Sequence, residues 1–316
     1  MATKKSLLTG GIIMAAAMAA SAVSDAQKTV RLMYPQWQGA RMQDGWIPEV
    51  KSLEDASQGY VLGSRLLEIL APENPSHKVV RVPVSMEYGE RPITDGVTDR
   101  EAIAAQTKAA REALEAESPD RVITLGGECS VSVVPFTYLA KRFGGDVAVL
   151  WIDAHPDITL PGDVYPAYHA MAVTAMMGRG DKKILAELPS SIPAERILFV
   201  GLRDWERQQI VDRQKEYGMK HVGVKPLRES SKPVLDWIAA TGAKHVLIHF
   251  DLDVLDPAEI IPAVGVVKDG MKMAEVVRVI NDVSSAHEVN ALTIAEPLPR
   301  TAINIRNMLQ GINLFK

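Results

Sequence analysis

The sequence predicts an α/β fold in which a mostly parallel sheet of about eight strands lies between two layers of helices. From Lys28 onward, short runs rich in β-branched residues alternate with longer amphipathic runs. Strands separated by helices of this length imply right-handed crossovers, which place helices on both faces of a parallel sheet. No internal repeat, linker or change of composition divides the chain after residue 27. We therefore expect residues 27–316 to form a single three-layer α/β/α domain.

The individual elements follow from hydrophobic periodicity. A helix is predicted over Arg100–Glu117, because Ile103, Ala110 and Leu114 recur at helical spacing and charged residues lie elsewhere on the segment. The other helices are expected at Ala56–Leu70, Val131–Arg142, Glu206–Tyr217, Lys232–Thr241 and Lys272–Ala286. The strands are expected at Val30–Tyr34, Val79–Val84, Arg121–Leu125, Val147–Ile152, Ile197–Val200, His221–Val224, His245–His249 and Glu288–Ile294.

The composition excludes several classes of protein. Lys and Arg number 35 against 39 Asp and Glu, so the net charge is −4 and no basic surface for nucleic acid is indicated. Beyond the N-terminal segment, no stretch approaches the ~20 apolar residues that a membrane span needs. Cys129 is the only cysteine, which excludes a disulfide framework. We therefore expect the partners to be small molecules or further copies of the chain.

The first 26 residues have the pattern of a secretory signal peptide. Lys4 and Lys5 precede an apolar stretch over residues 7–23, and residues 24–26 form a small-x-small cleavage site. This pattern predicts a mature protein that begins near Gln27 and is periplasmic or secreted. The alternative is a helical or disordered extension on a cytoplasmic protein, since the apolar stretch is rich in alanine and broken by glycines.

Polar residues follow several predicted strands at the point where each strand ends. Asp153, His155 and Asp157 come directly after the fourth predicted strand, and Asp251 with Asp253 follows the seventh. In extended chain, residues two apart point the same way, so each cluster can direct its side chains to one spot. Ligands of open parallel sheets bind beyond the carboxyl ends of the strands, so we expect the clusters to meet at one edge of the sheet.

Clustered carboxylates require a cation. Four aspartates in one small region would repel one another by several kcal/mol, even at an effective dielectric constant of ~20. A single aspartate at a strand end is commonly a turn or cap residue, but that explanation does not account for the whole set. Carboxylate oxygens with an imidazole suit Mn²⁺ and similar divalent ions, and shared carboxylates produce a pair of ions ~3.5 Å apart. The sequence therefore predicts a binuclear metal site.

These segments resemble the signature motifs of the ureohydrolase family, which comprises arginases, agmatinases and formiminoglutamases. Asp153-Ala-His155-x-Asp157 and Asp251-x-Asp253-x-x-Asp256-Pro257 are similar to the two metal motifs. Gly126-Gly127-Glu128-Cys129-Ser130 resembles the family's Gly-Gly-Asp-His-Ser, and Gly201-Leu202-Arg203-Asp204 resembles a segment between the metal motifs. The similarity runs from about Lys28 to the C-terminus and implies the arginase-like fold.

The resemblance implies a role for each candidate residue. Asp153 and Asp251 would bridge two divalent ions, with water activated between them as the nucleophile. The remaining implied metal ligands are Cys129 and Asp157 on one ion and His155 and Asp253 on the other.

Three further residues have implied roles outside the metal ligands. His169 stands where the family has a proton-transferring histidine, although a histidine at a helix end is the plainer explanation. Glu296 matches the carboxylate that pairs with a substrate guanidinium, for which a bidentate carboxylate is the natural partner. Glu206 is a candidate contact for a substrate ammonium, and a solvated helix start explains it equally well.

Cys129 is the main departure from the family pattern, because the family has histidine there. As a thiolate ligand, Cys129 would make the site one charge more negative, raise the pKa of bound water and favour Zn²⁺, Fe²⁺ or Co²⁺ over Mn²⁺. The same exchange is a feature of the N-hydroxyarginine hydrolase branch, which this chain resembles at that position. The alternative is an inert buried thiol.

Substrate identity is less well indicated than reaction type. The loop at residues 158–168 lacks the Asn and Ser with which arginases hold the amino-acid carboxylate, and Ala263-Val264-Gly265-Val266 replaces the usual Gly-Thr-Pro. The leading hypothesis is a hydrolase that releases urea or hydroxyurea from a guanidino compound. The alternatives are an agmatinase or formiminoglutamase and a non-catalytic binding protein of the same fold. The resemblance also implies a homo-oligomer, a trimer or a hexamer.

Overall fold

The computed structural model describes residues 27–315, and the predicted signal peptide over residues 1–26 lies outside this range. Ten strands are present in the described part of the chain. In chain order they are β1 Thr29–Tyr34, β2 Lys78–Arg81, β3 Ile93–Thr94, β4 Val97–Thr98, β5 Arg121–Gly126, β6 Val147–Ile152, β7 Ile197–Val200, β8 Lys220–Val222, β9 His245–Asp251 and β10 Glu288–Ala295. Eight of them form one sheet in the order β2-β1-β5-β10-β9-β6-β7-β8, and all neighbouring pairs are parallel.

Helices connect the strands and cover the sheet. They are α1 Leu53–Ser57, α2 Gly59–Leu70, α3 Arg100–Glu117, α4 Val133–Arg142, α5 Ala172–Met176, α6 Lys182–Leu185, α7 Gln208–Glu216, α8 Val224–Glu229, α9 Lys232–Thr241, α10 Met273–Ala286 and α11 Arg300–Gln310. No helix within residues 27–315 combines the length and the apolar character that crossing a membrane requires.

Alternate residues of the central strand β6 are buried on opposite faces of the sheet. On β6, Val147, Val149 and Trp151 pack with residues of α3, α4 and α5, whereas Leu150 and Ile152 pack with residues of α8, α9 and α10. All six residues of β6 are buried. A strand covered on both faces must be apolar throughout, which explains its continuous hydrophobic run. The predicted three-layer α/β/α fold is confirmed.

Several predicted boundaries were wrong. The helix expected over Ala56–Leu70 begins at Leu53 and is divided at Gln58, beyond which Gly59 packs so closely that a Cβ there would lie 2.5 Å from Leu298. The strand expected over His221–Val224 ends at Val222. Propensity is a weak guide at such points, because packing between distant elements decides where an element ends.

The sequence-based interpretation also missed elements. It did not include α11 or the hairpin of β3 and β4, whose antiparallel strands are joined by Asp95 and Gly96. Both turn residues have positive φ, 47° and 81°. An Asp-Gly pair is the typical signal for this kind of two-residue turn, so the hairpin could have been predicted.

Candidate metal centre

The candidate site lies at the carboxyl ends of four adjacent strands. β5, β10, β9 and β6 are neighbours in the centre of the sheet. They place Cys129, Glu296, Asp251 and Asp153 at or just beyond their ends. Neighbouring strands lie about 4.8 Å apart, so side chains that follow adjacent strands at the same edge can touch. The topology therefore brings together residues from four distant segments of the chain.

The turn after β5 fixes the position of Cys129. Gly127 passes so close to the backbone of Gln36 that a Cβ would lie 1.8 Å from the Gln36 carbonyl oxygen, so only glycine fits. The buried Glu128 side chain accepts hydrogen bonds from the Ser130 backbone N–H at 2.7 Å and from Gln36 Nε2 at 2.7 Å. Glu128 thereby caps the short helical turn that begins at Cys129 and presents the thiol to the site.

A first group of potential metal ligands contains a thiol, two carboxylates and an imidazole. It is formed by Cys129, Asp153, His249 and Asp251, each of which contributes one atom within 4.8 Å of the others, and all four residues are buried. Cys129 Sγ lies 3.0 Å from Asp251 Oδ2, and His249 Nε2 lies 3.7 Å from Asp153 Oδ2.

A second group shares a residue with the first. His155 Nδ1 lies 2.9 Å from Asp253 Oδ2 and 3.6 Å from Asp153 Oδ1, and the three residues form a cluster within the same 4.8 Å limit. The two oxygens of Asp153 therefore face different groups, which is the arrangement expected of a carboxylate between two ions. Gly265 allows Asp253 to occupy its position, since a Cβ there would lie 2.4 Å from Asp253 Oδ2.

Asp157 reaches the site by a different backbone path from the one expected. The chain bends after Asp153 instead of continuing extended, and Asp157 has the left-handed φ of 48°. The prediction that Asp153, His155 and Asp157 converge as alternate residues of extended chain was therefore wrong, although all three side chains border the same cavity or its floor. Asp157 Oδ2 is buried and has no hydrogen-bond partner among the described residues. A non-glycine residue held at positive φ costs energy and is found most often at functional sites.

The electrostatics of the cluster favour a cation. Burial raises the pKa of Asp157, Asp251 and Asp253, and the negative charges of neighbouring carboxylates raise it further. Burial likewise raises the pKa of Cys129, and Asp157 and Asp251 add to the effect. These directions show that the deprotonated groups repel one another in the protein alone.

The donor set fits divalent metal ions. The site contains buried carboxylate, thiol and imidazole groups, whose deprotonated forms are the ligand types that Mn²⁺, Zn²⁺, Fe²⁺ and Co²⁺ accept. Asp157 Oδ2 adds a carboxylate oxygen that has no hydrogen-bond partner among the described residues. A divalent ion would also remove the repulsion that raises the pKa values of the aspartates. Burial lowers the pKa of His249, which keeps this imidazole in the neutral form that metals bind.

A carboxylate and a third imidazole, Glu296 and His169, form a further group of potential ligands with Cys129. Glu296 is buried, has a φ of 61°, and accepts a hydrogen bond from the hydroxyl of Tyr60 through Oε2. Its Oε1 lies 3.6 Å from His169 Nδ1, while His169 Nε2 lies 3.0 Å from the hydroxyl of Tyr165. Burial lowers the pKa of His169, but Tyr165 and Glu296 outweigh it and the pKa lies well above its usual value.

The metal-ligand groups form the floor of a cavity of about 340 Å³. Its upper wall is largely apolar and aromatic, with Trp46, Tyr165, Trp205, Ile210 and Val266. Glu206 lies at this wall with an exposed side chain and is paired only loosely with Arg207, at 3.3 Å. None of the described residues that line the cavity is Lys or Arg. Eight of the nine candidate residues named from the sequence therefore line this cavity, and the ninth, Asp153, lies beneath its floor within contact distance of the two ligand groups.

Two residues of the site were not identified from the sequence. His249 lies two positions before Asp251, the first residue of the second aspartate motif, and it was assigned only as the end of a strand. A histidine at the end of an otherwise apolar strand was the available signal. Tyr60 is 236 residues from Glu296 in sequence, so no local pattern could have indicated their contact.

Comparisons with known proteins agree with this geometry. The model of the arginase family matches residues 55–311. The arginase of Staphylococcus aureus strain COL is 26% identical over 198 residues, which cover 61% of this chain and 65% of that protein. The arginase of Eremothecium gossypii is 29% identical over 189 residues, 57% of this chain and 47% of that protein. The matched region thus spans less than two thirds of the length of these curated relatives.

Solved structures show the same fold. The arginase of Entamoeba histolytica, solved in complex with L-ornithine, has a TM-score of 0.73 at 18% identity and covers 90% of this chain and 96% of its own. The arginase of Bacillus caldovelox has a TM-score of 0.70 at 16% identity, covering 91% and 99%. Formimidoylglutamase of Bacillus subtilis has a TM-score of 0.63 at 16% identity, covering 92% and 88%.

Proposed function

The chain belongs to the arginase family, and on that basis we propose that it is a metal-dependent hydrolase that cleaves a C–N bond of a guanidino compound and releases urea or hydroxyurea. One observation carries this proposal. Two groups of potential ligands at one edge of the sheet share Asp153, which is the arrangement that two adjacent divalent ions require. Glu296 and His169 stand beside these groups in the same cavity.

The proposed ligands divide between two ions. Asp153 and Asp251 would be shared, Cys129 and Asp157 would complete one ion, and His155 and Asp253 would complete the other. When bound, such a pair of ions lowers the pKa of water and makes it a nucleophile at neutral pH. The carboxylates favour Mn²⁺, which we propose as the ion, and a Cys129 thiolate makes Zn²⁺, Fe²⁺ and Co²⁺ the alternatives.

Glu296 is the proposed anchor for the guanidinium group. It is a buried carboxylate on the cavity wall, and a planar guanidinium pairs best with such a group. The Tyr60 hydroxyl donates to Oε2 and fixes the orientation of the carboxylate, which leaves Oε1 directed towards His169. An oriented carboxylate holds the guanidinium carbon in a defined place relative to the attacking water, and such positioning lowers the activation barrier of hydrolysis.

His169 is the proposed proton donor to the leaving nitrogen. Hydrolysis forms a C–O bond and breaks a C–N bond, and the departing amine must gain a proton that the attacking water loses. The raised pKa of His169 favours a protonated imidazole, and its 22% side-chain exposure permits exchange with solvent. A positioned histidine is the usual group for such a transfer.

The cavity wall distinguishes between substrate classes. A substrate with one or two carboxylates finds no Lys or Arg among the described lining residues, and the Thr159 hydroxyl is already donated to the Ala170 carbonyl at 2.8 Å. Formiminoglutamate, with two carboxylates, is therefore the most disfavoured, and arginine and N-hydroxyarginine, with one each, are disfavoured less. A tail that is apolar or carries an amine suits the aromatic wall and Glu206, so an agmatinase-like activity is the second candidate.

The proposal is tested by reconstituting the protein with each metal and measuring turnover of four substrates side by side: arginine, N-hydroxyarginine, agmatine and formiminoglutamate. We expect urea or hydroxyurea from at least one of the first three, and none from the Asp251→Asn variant. Full activity in that variant, or no turnover of any guanidino compound by metal-loaded protein, would contradict the proposal and favour a non-catalytic binding protein.

Two further proposals concern the whole molecule. The N-terminal pattern supports export to the periplasm or the medium, and sequencing of the mature N-terminus should then begin near Gln27, whereas an intact Ala2 start would contradict it. Membership of the family supports a trimer or hexamer, for which the molar mass measured by light scattering is the test.

A further inference from the structure

His249 is a buried imidazole in the first group of potential ligands, and the division of ligands between two ions leaves it without a role. It lies on β9, is fully buried, and stacks on Trp151 with ring centroids 3.5 Å apart and planes at 6°. The stacking restricts the ring to one plane. Both of its nitrogens therefore point in defined directions.

The two nitrogens of His249 have different surroundings. Nδ1 lies 2.8 Å from the hydroxyl oxygen of Ser132, which is a normal hydrogen bond. Nε2 is buried and has no hydrogen-bond partner within the part of the chain that the structure describes. Buried polar atoms without partners are rare in folded proteins, and an unseen ion is one of the accepted explanations.

The distances around Nε2 suit a metal ion better than a hydrogen bond. Its nearest acidic atom is Asp153 Oδ2 at 3.7 Å, which is too far for a hydrogen bond. Imidazole nitrogen and carboxylate oxygen each lie ~2.0–2.2 Å from a divalent ion, so two such ligands of one ion can be up to about 4.3 Å apart. The observed separation falls within this range, and Asp251 and Cys129 belong to the same cluster.

The remaining contacts match those of a metal-binding histidine. Histidine ligands usually donate their second N–H to an oxygen, which fixes the tautomer, and Ser132 Oγ provides this oxygen. Asp153 Oδ2 also accepts a hydrogen bond from Trp151 Nε1 at 2.9 Å, so Trp151 orients both members of the pair. When the ring proton is on Nδ1 and is donated to Ser132, Nε2 keeps a free lone pair that points towards Asp153 and can bind an ion.

We propose that His249 is a ligand of the ion that Cys129 and Asp251 hold. This inference rests on the proposed binuclear metal site and adds to it an imidazole from β9. The family has histidine at position 129, where this chain has a thiol. His249 supplies an imidazole to the same group of ligand atoms from the next strand but one.

The chain contains a matched control for this proposal. His245 lies on the same strand and the same face of the sheet as His249. Its ring stacks on Phe143 with centroids 3.7 Å apart and planes at 8°, and its Nδ1 lies 2.9 Å from Asn290 Oδ1. It is at the opposite end of β9 and belongs to none of the metal-ligand groups. His249→Phe and His245→Phe therefore both keep an aromatic ring and lose an imidazole, but only one of them loses a proposed ligand.

The test measures metal binding directly. Purified full-length protein is loaded with Zn²⁺, and affinity is measured by chelator competition while X-ray absorption counts the imidazole ligands of zinc. We expect His249→Phe to weaken the binding of one ion by more than ~100-fold, beyond the ~10–100-fold typical of residues that only orient a ligand. With both ions bound, the imidazole count should fall by about one half per zinc ion, because one of the two proposed imidazole ligands is lost and the count is averaged over two ions. His245→Phe should change neither quantity.

The outcomes separate this inference from the proposed function. Two bound ions with an unchanged imidazole count in folded His249→Phe would overturn the inference and leave the metal hydrolase proposal intact. Wild-type protein that binds no ion would overturn both. If His249→Phe does not fold, Ser132→Ala provides the second measurement. It should keep the imidazole count and weaken binding by ~10-fold, and unchanged binding would contradict the proposal.

Discussion

Cys129 Sγ lies 3.0 Å from Asp251 Oδ2, although the two residues are 122 positions apart in the sequence. Both groups are buried, and burial is the main reason that the pKa of each lies well above its usual value. The negative charge of Asp251 raises the pKa of Cys129 further, whereas the hydrogen bond from the Cys129 thiol lowers the pKa of Asp251. A proton or a cation must therefore stand between them.

Replacement of the thiol should change the metal preference. We expect Cys129→His to retain Mn²⁺ better than the wild-type protein, because a neutral imidazole lowers the negative charge of the site and removes a soft sulfur ligand. Metal content after dialysis against a chelator measures this. Cys129→Ser is the control for size, since it removes the sulfur without adding an imidazole. Equal Mn²⁺ retention in all three proteins would show that Cys129 is not a ligand.

Removal of metal should invert the usual pH dependence of stability. In metal-free protein the pKa values of Asp157, Asp251 and Asp253 are raised. These groups therefore stabilise the fold at pH values below the ordinary aspartate pKa of about 3.9. This contribution is lost as the pH rises through the raised pKa values. For Asp153, burial raises the pKa but His155 and His249 outweigh it and lower it, so its contribution has the opposite sign. Three raised groups against one make the contribution of the metal site to the free energy of unfolding fall with rising pH. Carboxylates outside the site with a lowered pKa, such as Asp120 and Asp163, contribute in the opposite sense in chelated and loaded protein alike, so the comparison of the two isolates the site.

Urea unfolding of chelated and metal-loaded protein over a series of pH values tests this. The free energy of unfolding of the chelated protein should fall as pH rises above the ordinary aspartate range. That of the loaded protein should rise, because ions bind the deprotonated ligands. Chelated Asp251→Asn should show a shallower fall. A chelated wild-type protein that becomes steadily more stable over the same range would contradict the assigned electrostatics.

Tyr60 should affect substrate binding through Glu296. In Tyr60→Phe the carboxylate loses the buried hydrogen-bond donor to Oε2, and a hydrogen bond to a charged group contributes about 1.5–3 kcal/mol. We expect KM for the guanidino substrate to rise by about tenfold or more, with metal content unchanged. Tyr138→Phe is the control, since its hydroxyl contacts the Pro119 carbonyl outside the cavity. An unchanged KM in Tyr60→Phe would show that Glu296 does not depend on this contact.

His169 should act on the chemical step and not on metal binding. We expect His169→Asn to lower kcat by ~10²–10⁴-fold, the contribution of a positioned general acid, while both ions remain bound. Steady-state kinetics and elemental analysis of the same samples measure the two quantities. His77→Asn, at a surface site beside Arg31 and Asn74, controls for the loss of any imidazole. A His169→Asn protein that loses an ion would assign His169 to the metal site instead.

Hydrophobic pattern alone predicted the layered fold and most of its strands. β6 and β7 have the predicted bounds, and α3 and α9 do as well, because each buries a periodic set of apolar residues that is visible in the sequence. The errors fall at ends and divisions of elements, such as Gln58 between α1 and α2, where contacts with distant residues decide the outcome.

The candidate ligands were also identifiable in the sequence, since Asp153, His155, Asp251 and Asp253 stand at strand ends where an apolar run gives way to acids. Their arrangement was not. Strand order inserts β9 and β10 between β5 and β6, which brings Glu296 to Cys129 across 167 residues and Tyr60 to Glu296 across 236. Only the tertiary structure could show that His249 directs at Asp153 a nitrogen with no hydrogen-bond partner within residues 27–315, because packing against Trp151 and Ser132 sets the orientation of the ring. Local periodicity fixes which residues are buried, whereas contacts between distant segments depend on how the whole sheet is assembled.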